Sequence, residues 1–277
     1  MKTALSPALI TAGLVLAAVH PASAVTTLLD DTFGNGNLAT NPDTGGGFAA
    51  LGNGIANPGS VTESGSLAQI TEGDGSNTFG MISSNTFDLS NPSLTYTTTW
   101  EIDSVNFGTA GSIERMFFTL QTNNDFLFAG GAEESRLLLV LDAQNDNALL
   151  RYQNRSSGAN ANFDAATFSL GSDFTGDADG FTATMTLDAT GFTFTTIGLD
   201  AANQVSIFDT WANIGTDFST VLGTDGDMHV ATYVQDTGTT GSTLGIDRIT
   251  LTSVPEPNAA LLGAIGALML LRRRRSD

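Results

Sequence analysis

The sequence predicts an all-β chain folded as a two-sheet β-sandwich, and three observations carry that expectation. Between residues 25 and 253, short runs of Thr, Val, Ile and Phe alternate with clusters of Gly, Asn and Asp, which is the punctuation of strands and turns. Apolar residues recur at a period of two and nowhere keep a helical period for three turns. The runs suggest roughly 12 to 15 strands, better suited to two packed sheets than to one open sheet.

The first 24 residues stand apart from that domain. Lys2, an apolar run from Ala8 to Val19, and then Ala22-Ser23-Ala24 read as a signal peptide, with cleavage by signal peptidase expected before Val25. The run is shorter than the roughly 20 residues of a spanning helix.

An opening strand is expected at Leu29-Asp30-Asp31-Thr32-Phe33, and 34–59 is the loosest stretch. The clearest strand begins at Leu94. Tyr96, Thr98, Trp100 and Ile102 share its inward face with Leu94, while Thr95, Thr97, Thr99 and Glu101 face out. Phe181, Ala183, Met185 and Leu187 repeat the pattern. Asp188-Ala189-Thr190-Gly191 should then turn the chain into Phe192-Thr193-Phe194-Thr195 as a hairpin, with Gly191 left-handed. Strands over 228–235 and 244–253 complete the reading. No linker or fixed-period repeat divides 25–253, so a single passenger domain is expected.

Composition narrows the function. Cysteine is absent, which excludes disulfides, zinc-thiolate sites and a cysteine nucleophile. Lys2 is the lone lysine, and between the termini the basic residues are Arg115, Arg136, Arg151, Arg155 and Arg248. Of the 29 Asp and Glu, all but Glu256 and Asp277 lie in that same segment. A surface this negative repels polyphosphate, so no nucleic acid partner is expected.

The C-terminal segment, 254–277, joins Val254-Pro255-Glu256-Pro257, an apolar stretch over 259–271, and Arg272-Arg273-Arg274-Arg275. These three elements in this order resemble the PEP-CTERM sorting signal. At about 1.5 Å per residue such a helix reaches about 20 Å, short of the roughly 30 Å hydrocarbon core. The arginines resist translocation and act as a membrane stop. The prolines leave the motif extended and open to a protease. The resemblance implies an exosortase that recognises Pro255, Glu256 and Pro257 after transient inner-membrane insertion. Delivery to the cell surface or extracellular matrix of a Gram-negative bacterium would follow.

The acidic opening strand and the closing Gly245-Ile246-Asp247-Arg248-Ile249-Thr250-Leu251 resemble the concanavalin A-like lectin/glucanase jelly roll. In that family the first and last strands commonly lie side by side. Another β-sandwich or a short β-helix stays open as an alternative.

Several groups are candidates for chemistry. Trp100-Glu101-Ile102-Asp103-Ser104-Val105-Asn106 resembles the Glu-x-Asp-x-x-Glu catalytic strand of laminarinase-type glucanases. Asn106 stands where the acid/base glutamate belongs and cannot protonate a leaving group. Glu101 and Asp103 are therefore expected on a solvated strand face, and no catalytic residue is assigned. His229, the one histidine after the signal peptide, should pack on a strand beside Ala231 and Tyr233.

Ca²⁺ is the candidate cofactor, because Asp173, Asp177 and Asp179, or Asp225 and Asp227, place hard oxygens on Gly-bearing loops; an ordinary acidic turn accounts for the same residues. Asp30, Asp31 and Asp247 would converge if the terminal strands pair. Trp211 and Tyr152, in polar surroundings, are the candidate glycan platforms.

The functional expectation is a non-enzymatic exported surface or matrix protein associated with exopolysaccharide. A Ca²⁺-assisted lectin-like glycan-binding module and a degenerate glycoside hydrolase are the alternatives.

Overall fold

The computed structural model describes residues 24–41, 43–52, 59–73, 77–106, 114–122, 134–142, 147–156, 159–169, 178–198, 205–215, 217–222, 227–236 and 242–256, some by backbone alone. One compact unit runs Thr26–Ser253. The apolar stretch and arginine cluster expected after residue 257 lie outside the described residues, as does the expected signal peptide before residue 24.

In chain order the strands are β1 (Thr26–Asp31), β2 (Phe48–Gly52), β3 (Ser60–Glu63), β4 (Ala68–Thr71), β5 (Asn77–Ser83), β6 (Phe87–Asp88), β7 (Leu94–Asn106) and β8 (Glu114–Gln121). There follow β9 (Glu134–Asp142), β10 (Asn147–Ser156), β11 (Ala159–Ser169), β12 (Ala178–Leu187), β13 (Gly191–Ile197), β14 (Ser206–Thr210), β15 (Asp227–Asp236) and β16 (Thr243–Pro255). The one described helix, α1 (Phe218–Leu222), starts at Asp217, whose carboxylate accepts the Thr220 N–H at 2.8 Å as an N-cap.

The strands form two eight-stranded sheets. Sheet A runs β14-β13-β12-β7-β16-β4-β3, with β1 also on β16. Sheet B runs β11-β10-β9-β8-β15-β5-β2, with β6 on β15. The expected two-sheet sandwich is thus the observed one. The first and last strands lie side by side, Thr27 opposite Thr252 and Asp31 opposite Ile249.

Alternation builds the core. Tyr96, Thr98, Trp100 and Ile102 of β7 face inward, with Ala183, Met185 and Leu187 of β12 beside them. Across the sandwich Trp100 meets Phe118 of β8 with ring centroids 5.4 Å apart, and Phe118 meets Phe181 edge-on at 6.2 Å. A buried aromatic or aliphatic side chain contributes about 1.5–3 kcal/mol by leaving water, so this central cluster holds the sheets together.

The hairpin over β12 and β13 forms as the sequence predicts, with Asp188 N–H bonded to Gly191 O at 3.0 Å. Gly191, however, does not adopt the expected left-handed φ. It is glycine because β14 passes close: a Cβ there would stand 3.0 Å from Thr210 Cα and closer still to the Asp209 carbonyl. The opening strand also ends before Phe33, which takes a left-handed φ of 51° and turns its ring into the core against Phe48 at 5.7 Å.

Candidate functional site

The outward face of sheet A carries the candidate site. Because alternate residues of each strand share a face, threonines spaced by two in sequence become rows across the sheet. One row passes from Thr27 of β1 to Thr252, Thr97, Thr186 and Thr193 and ends at Phe208 of β14. The Thr252 hydroxyl reaches Thr97 O at 3.5 Å, and the Thr97 and Thr186 hydroxyls are 3.4 Å apart.

The next row holds Asp30, Thr250, Thr99, Thr184, Thr195 and Ser206. Neighbouring strands are about 4.8 Å apart and alternate residues about 6.7 Å, so hydroxyls and methyls tile this face at regular intervals.

Its two margins differ. At the β14 side, Phe208 and Ile197 are 62% and 66% exposed, unusual for large apolar side chains. At the other, Arg248 grips Asp30 with both ends of its fork, Nε to Oδ1 and Nη2 to Oδ2, each at 2.8 Å. Arg248 Nη1 also lies 3.9 Å from Glu101, tying β1, β16 and β7 together by charge.

The inward residues of β16 explain why Arg248 points there. They run Leu244, Ile246, then Ile249 and Leu251, and the spacing of three leaves both Asp247 and Arg248 outside.

Glu101 and Asp103 do lie on the solvated outward face, as expected. Asp247 approaches Asp103 from β16; its carboxyl is raised by partial burial and by the Asp103 charge. Both are exposed, and Glu101 is engaged by Arg248. Asp30, Asp31 and Asp247 do not converge although their strands pair. Asp30 faces out to Arg248, Asp31 is buried on the opposite side of β1, and Asp247 belongs with Asp103.

Asp31 is 2% exposed, and burial pushes its carboxyl up to about 6 against the Phe33 N–H bond that pulls it down. The charges of Glu63, Asp43 and Asp30 push it the same way as burial.

Trp211 corrects the expectation of a glycan platform there. It is 3% exposed, lies between Phe192 at 4.8 Å and Phe218 at 6.1 Å, and its indole N–H donates to Asp188 O at 2.8 Å. No ring face is left for a sugar. Tyr152 stands on β10 opposite Leu137 and Phe163; its side chain lies outside the described residues. The exposed aromatic that the sequence reading missed is Phe208. The alternation of Ile207 and Asp209 inward with Ser206 and Phe208 outward could have found it.

Asp173, Asp177 and Asp225 lie outside the described residues. Asp179 is described by backbone only, and Asp227 is exposed at the start of β15. Among the described residues no three His, Asp or Glu side chains stand close enough to hold a metal by themselves. Pro255 ends β16 in extended backbone and Glu256 follows it outside regular structure; Pro257, Arg272, Arg273, Arg274 and Arg275 lie outside the described residues.

The outward side of sheet B is different in kind. Ile82, Phe117, Leu138, Val140, Ala231 and Tyr233 form a second buried apolar cluster there. Polar pairs border it: the Tyr233 hydroxyl donates to Gln121 Oε1, Arg115 Nε meets Asp142 at 2.7 Å, and His229 Nδ1 lies 2.8 Å from Ser83 O. His229 therefore sits beside Ala231 and Tyr233 and is held by a backbone carbonyl, with no carboxylate among its described partners.

No protein-family model and no curated protein matches the chain. Solved structures do. The basic winged bean lectin determined with Tn-antigen aligns with 84% of this chain and 99% of its own at 10% identity and a TM-score of 0.57. The Lotus tetragonolobus seed lectin aligns with 83% and 99% at 9% identity and the same score. The CBM2 module of the evolved Dit of Lactobacillus casei BL23 phage J-1 aligns with 84% and 98% at 12% identity and 0.55. At such identities the likeness is one of architecture, and the architecture of this chain is a lectin-like, concanavalin A-type β-sandwich.

Proposed function

We propose that the chain is an exported, non-enzymatic surface protein, delivered through its C-terminal Pro-Glu-Pro signal, whose sheet A face lies against exopolysaccharide. The observation that carries this reading is the pair of threonine rows, one of which ends at the exposed Phe208. An extended glycan offers hydroxyls and apolar ring faces in repeat. A surface alternating hydroxyls, methyls and one aromatic ring matches both. The extended backbone at Val254 and Pro255 is what a sorting protease would need at its cleavage segment.

The test is co-sedimentation of the full chain with the exopolysaccharide of the producing cell, comparing the wild type with Phe208→Ser and with Thr186→Val/Thr193→Val. Loss of binding in these variants with unchanged unfolding temperature is expected; unchanged binding in all would refute the face. Sorting is tested separately by fractionating cells that carry Glu256→Gln with Pro255→Ala. Retention in the inner membrane is the expected result, and normal surface delivery would sink it.

A second reading is a Ca²⁺-assisted glycan-binding module: the lectin-like architecture supports its glycan part, and the Asp residues on Gly-bearing loops around Asp173 and Asp225 would supply its ion. A glycan array read with and without chelator separates the two, because only the module would show discrete glycans whose signal the chelator abolishes.

A further inference from the structure

Asp31 closes β1 in an environment that leaves one of its oxygens with nothing to bind. The residue is 2% exposed. Oδ1 accepts the Phe33 N–H at 2.9 Å, an Asx-type turn that the left-handed φ of Phe33 permits. Oδ2 is out of contact with solvent and meets no hydrogen-bond donor among the described residues. The charges acting on it are those of Asp30 on the same strand, Asp43 on the following loop and Glu63 at the end of β3. The nearby cation, Arg248, is bound to Asp30 through both of that residue's oxygens.

A desolvated carboxylate oxygen among like charges is among the costliest groups a fold can bury, and either a proton or a metal ion relieves it. Its acidic neighbours are partly tied down. Glu63 Oε1 accepts the N–H groups of Asn35 at 3.0 Å and Gly36 at 2.7 Å, and Asp43 Oδ2 accepts the Thr32 hydroxyl at 2.9 Å. Those bonds engage Glu63 Oε1 and Asp43 Oδ2 and tie both side chains to the chain that follows β1.

We propose that this cluster at the end of β1 binds a hard divalent cation, Ca²⁺, with Asp31 Oδ2 as its buried anionic ligand. Ca²⁺ takes six to eight oxygens and accepts carbonyls and water among them, so it does not require three converging carboxylates. Asp43 and Glu63 supply negative field, and Asp31 supplies the oxygen the fold has left empty-handed. The residues differ from the Gly-bearing loops around Asp173 and Asp225, and the site stands or falls independently of the exopolysaccharide reading.

The experiment is thermal unfolding of the chelator-treated full chain at pH 7.5, titrated with CaCl₂ and in parallel with MgCl₂, for the wild type, Asp31→Asn and the control Asp217→Asn, which keeps a side-chain cap on α1. Equilibrium dialysis with radioactive Ca²⁺ counts bound ions. The expected result is a saturable rise of several degrees with Ca²⁺ in the wild type and Asp217→Asn, absent in Asp31→Asn, and one ion fewer in the latter. If Asp31→Asn does not fold, Asp43→Asn takes its place, with affinity weakened about tenfold. A wild type that ignores Ca²⁺, or an Asp31→Asn chain that responds equally, overturns the proposal.

Discussion

Tyr233 of β15 lies directly across from Gly80 of β5, and its ring occupies the space that a side chain at Gly80 would fill. A Cβ at that glycine would stand 2.6 Å from Tyr233 Cδ1 and closer still to the Thr232 carbonyl. The ring then reaches along the sheet to give its hydroxyl proton to Gln121, over Ala231, whose small side chain lies between. One missing side chain therefore seats the aromatic centre of the outward face of sheet B.

Gly80→Ala should accordingly cost about 1–3 kcal/mol through overpacking against a backbone that cannot yield. At this domain size each kcal/mol lowers the unfolding temperature by about 2–4 °C, read by calorimetry. An unchanged midpoint would mean the strands separate there without strain.

Arg248→Lys keeps the charge and loses the fork that holds Asp30. The pair is partly exposed, with Arg248 at 40% and Asp30 at 24%, so the loss is expected to be only about 0.5–1 kcal/mol in urea unfolding at low salt. Repeating the titration at 0.5 M NaCl should shrink the difference by screening. A difference indifferent to salt would assign the effect to packing.

Asp31 sets a pH dependence opposite to that of most acidic residues. Its folded carboxyl titrates at about 6, above the ordinary 3.8, so the folded state binds the proton more tightly than the unfolded one. The stabilisation is complete below about pH 4 and is lost as pH rises through about 6. In chelator, urea midpoints should fall by the equivalent of about 1–2 kcal/mol across that interval, and Asp31→Asn should flatten the curve. A midpoint that climbs over the same interval would contradict the assignment.

Trp211 and Phe208 should behave as opposites. Trp211→Ala removes a ring packed on Phe192 and Phe218 and should cost about 3–5 kcal/mol. Trp211→Phe, which keeps most of the packing, should still bind polysaccharide. Phe208→Ser should leave stability within about 0.5 kcal/mol, because the ring is exposed, and lower polysaccharide binding. Co-sedimentation beside chemical unfolding checks both.

The inward face of β7 was readable because strand periodicity is local: each residue's side follows from its neighbour's, and the wet threonines mark the other side. The β12–β13 hairpin was readable for the same reason, its turn lying within four residues. Gly191 was misjudged because its constraint comes from Asp209 and Thr210, some twenty residues later in the chain. Trp211 was misjudged because polar sequence neighbours say nothing about Phe218, which the capped turn at Asp217 swings onto its ring. Asp31 gave no warning either, since its exclusion from water depends on distant segments closing around β1.

By itself the sequence determined the all-β class, the inward and outward faces of the long strands, the negative charge and the motifs at both ends, since each depends on residues within a few positions of one another. Only the tertiary structure decided that the threonines of five strands align into rows, that Arg248 unites β1, β7 and β16, and that Asp31 loses its solvent. Those depend on which strands become neighbours and in what register. A one-residue slip would turn every such side chain to the opposite face.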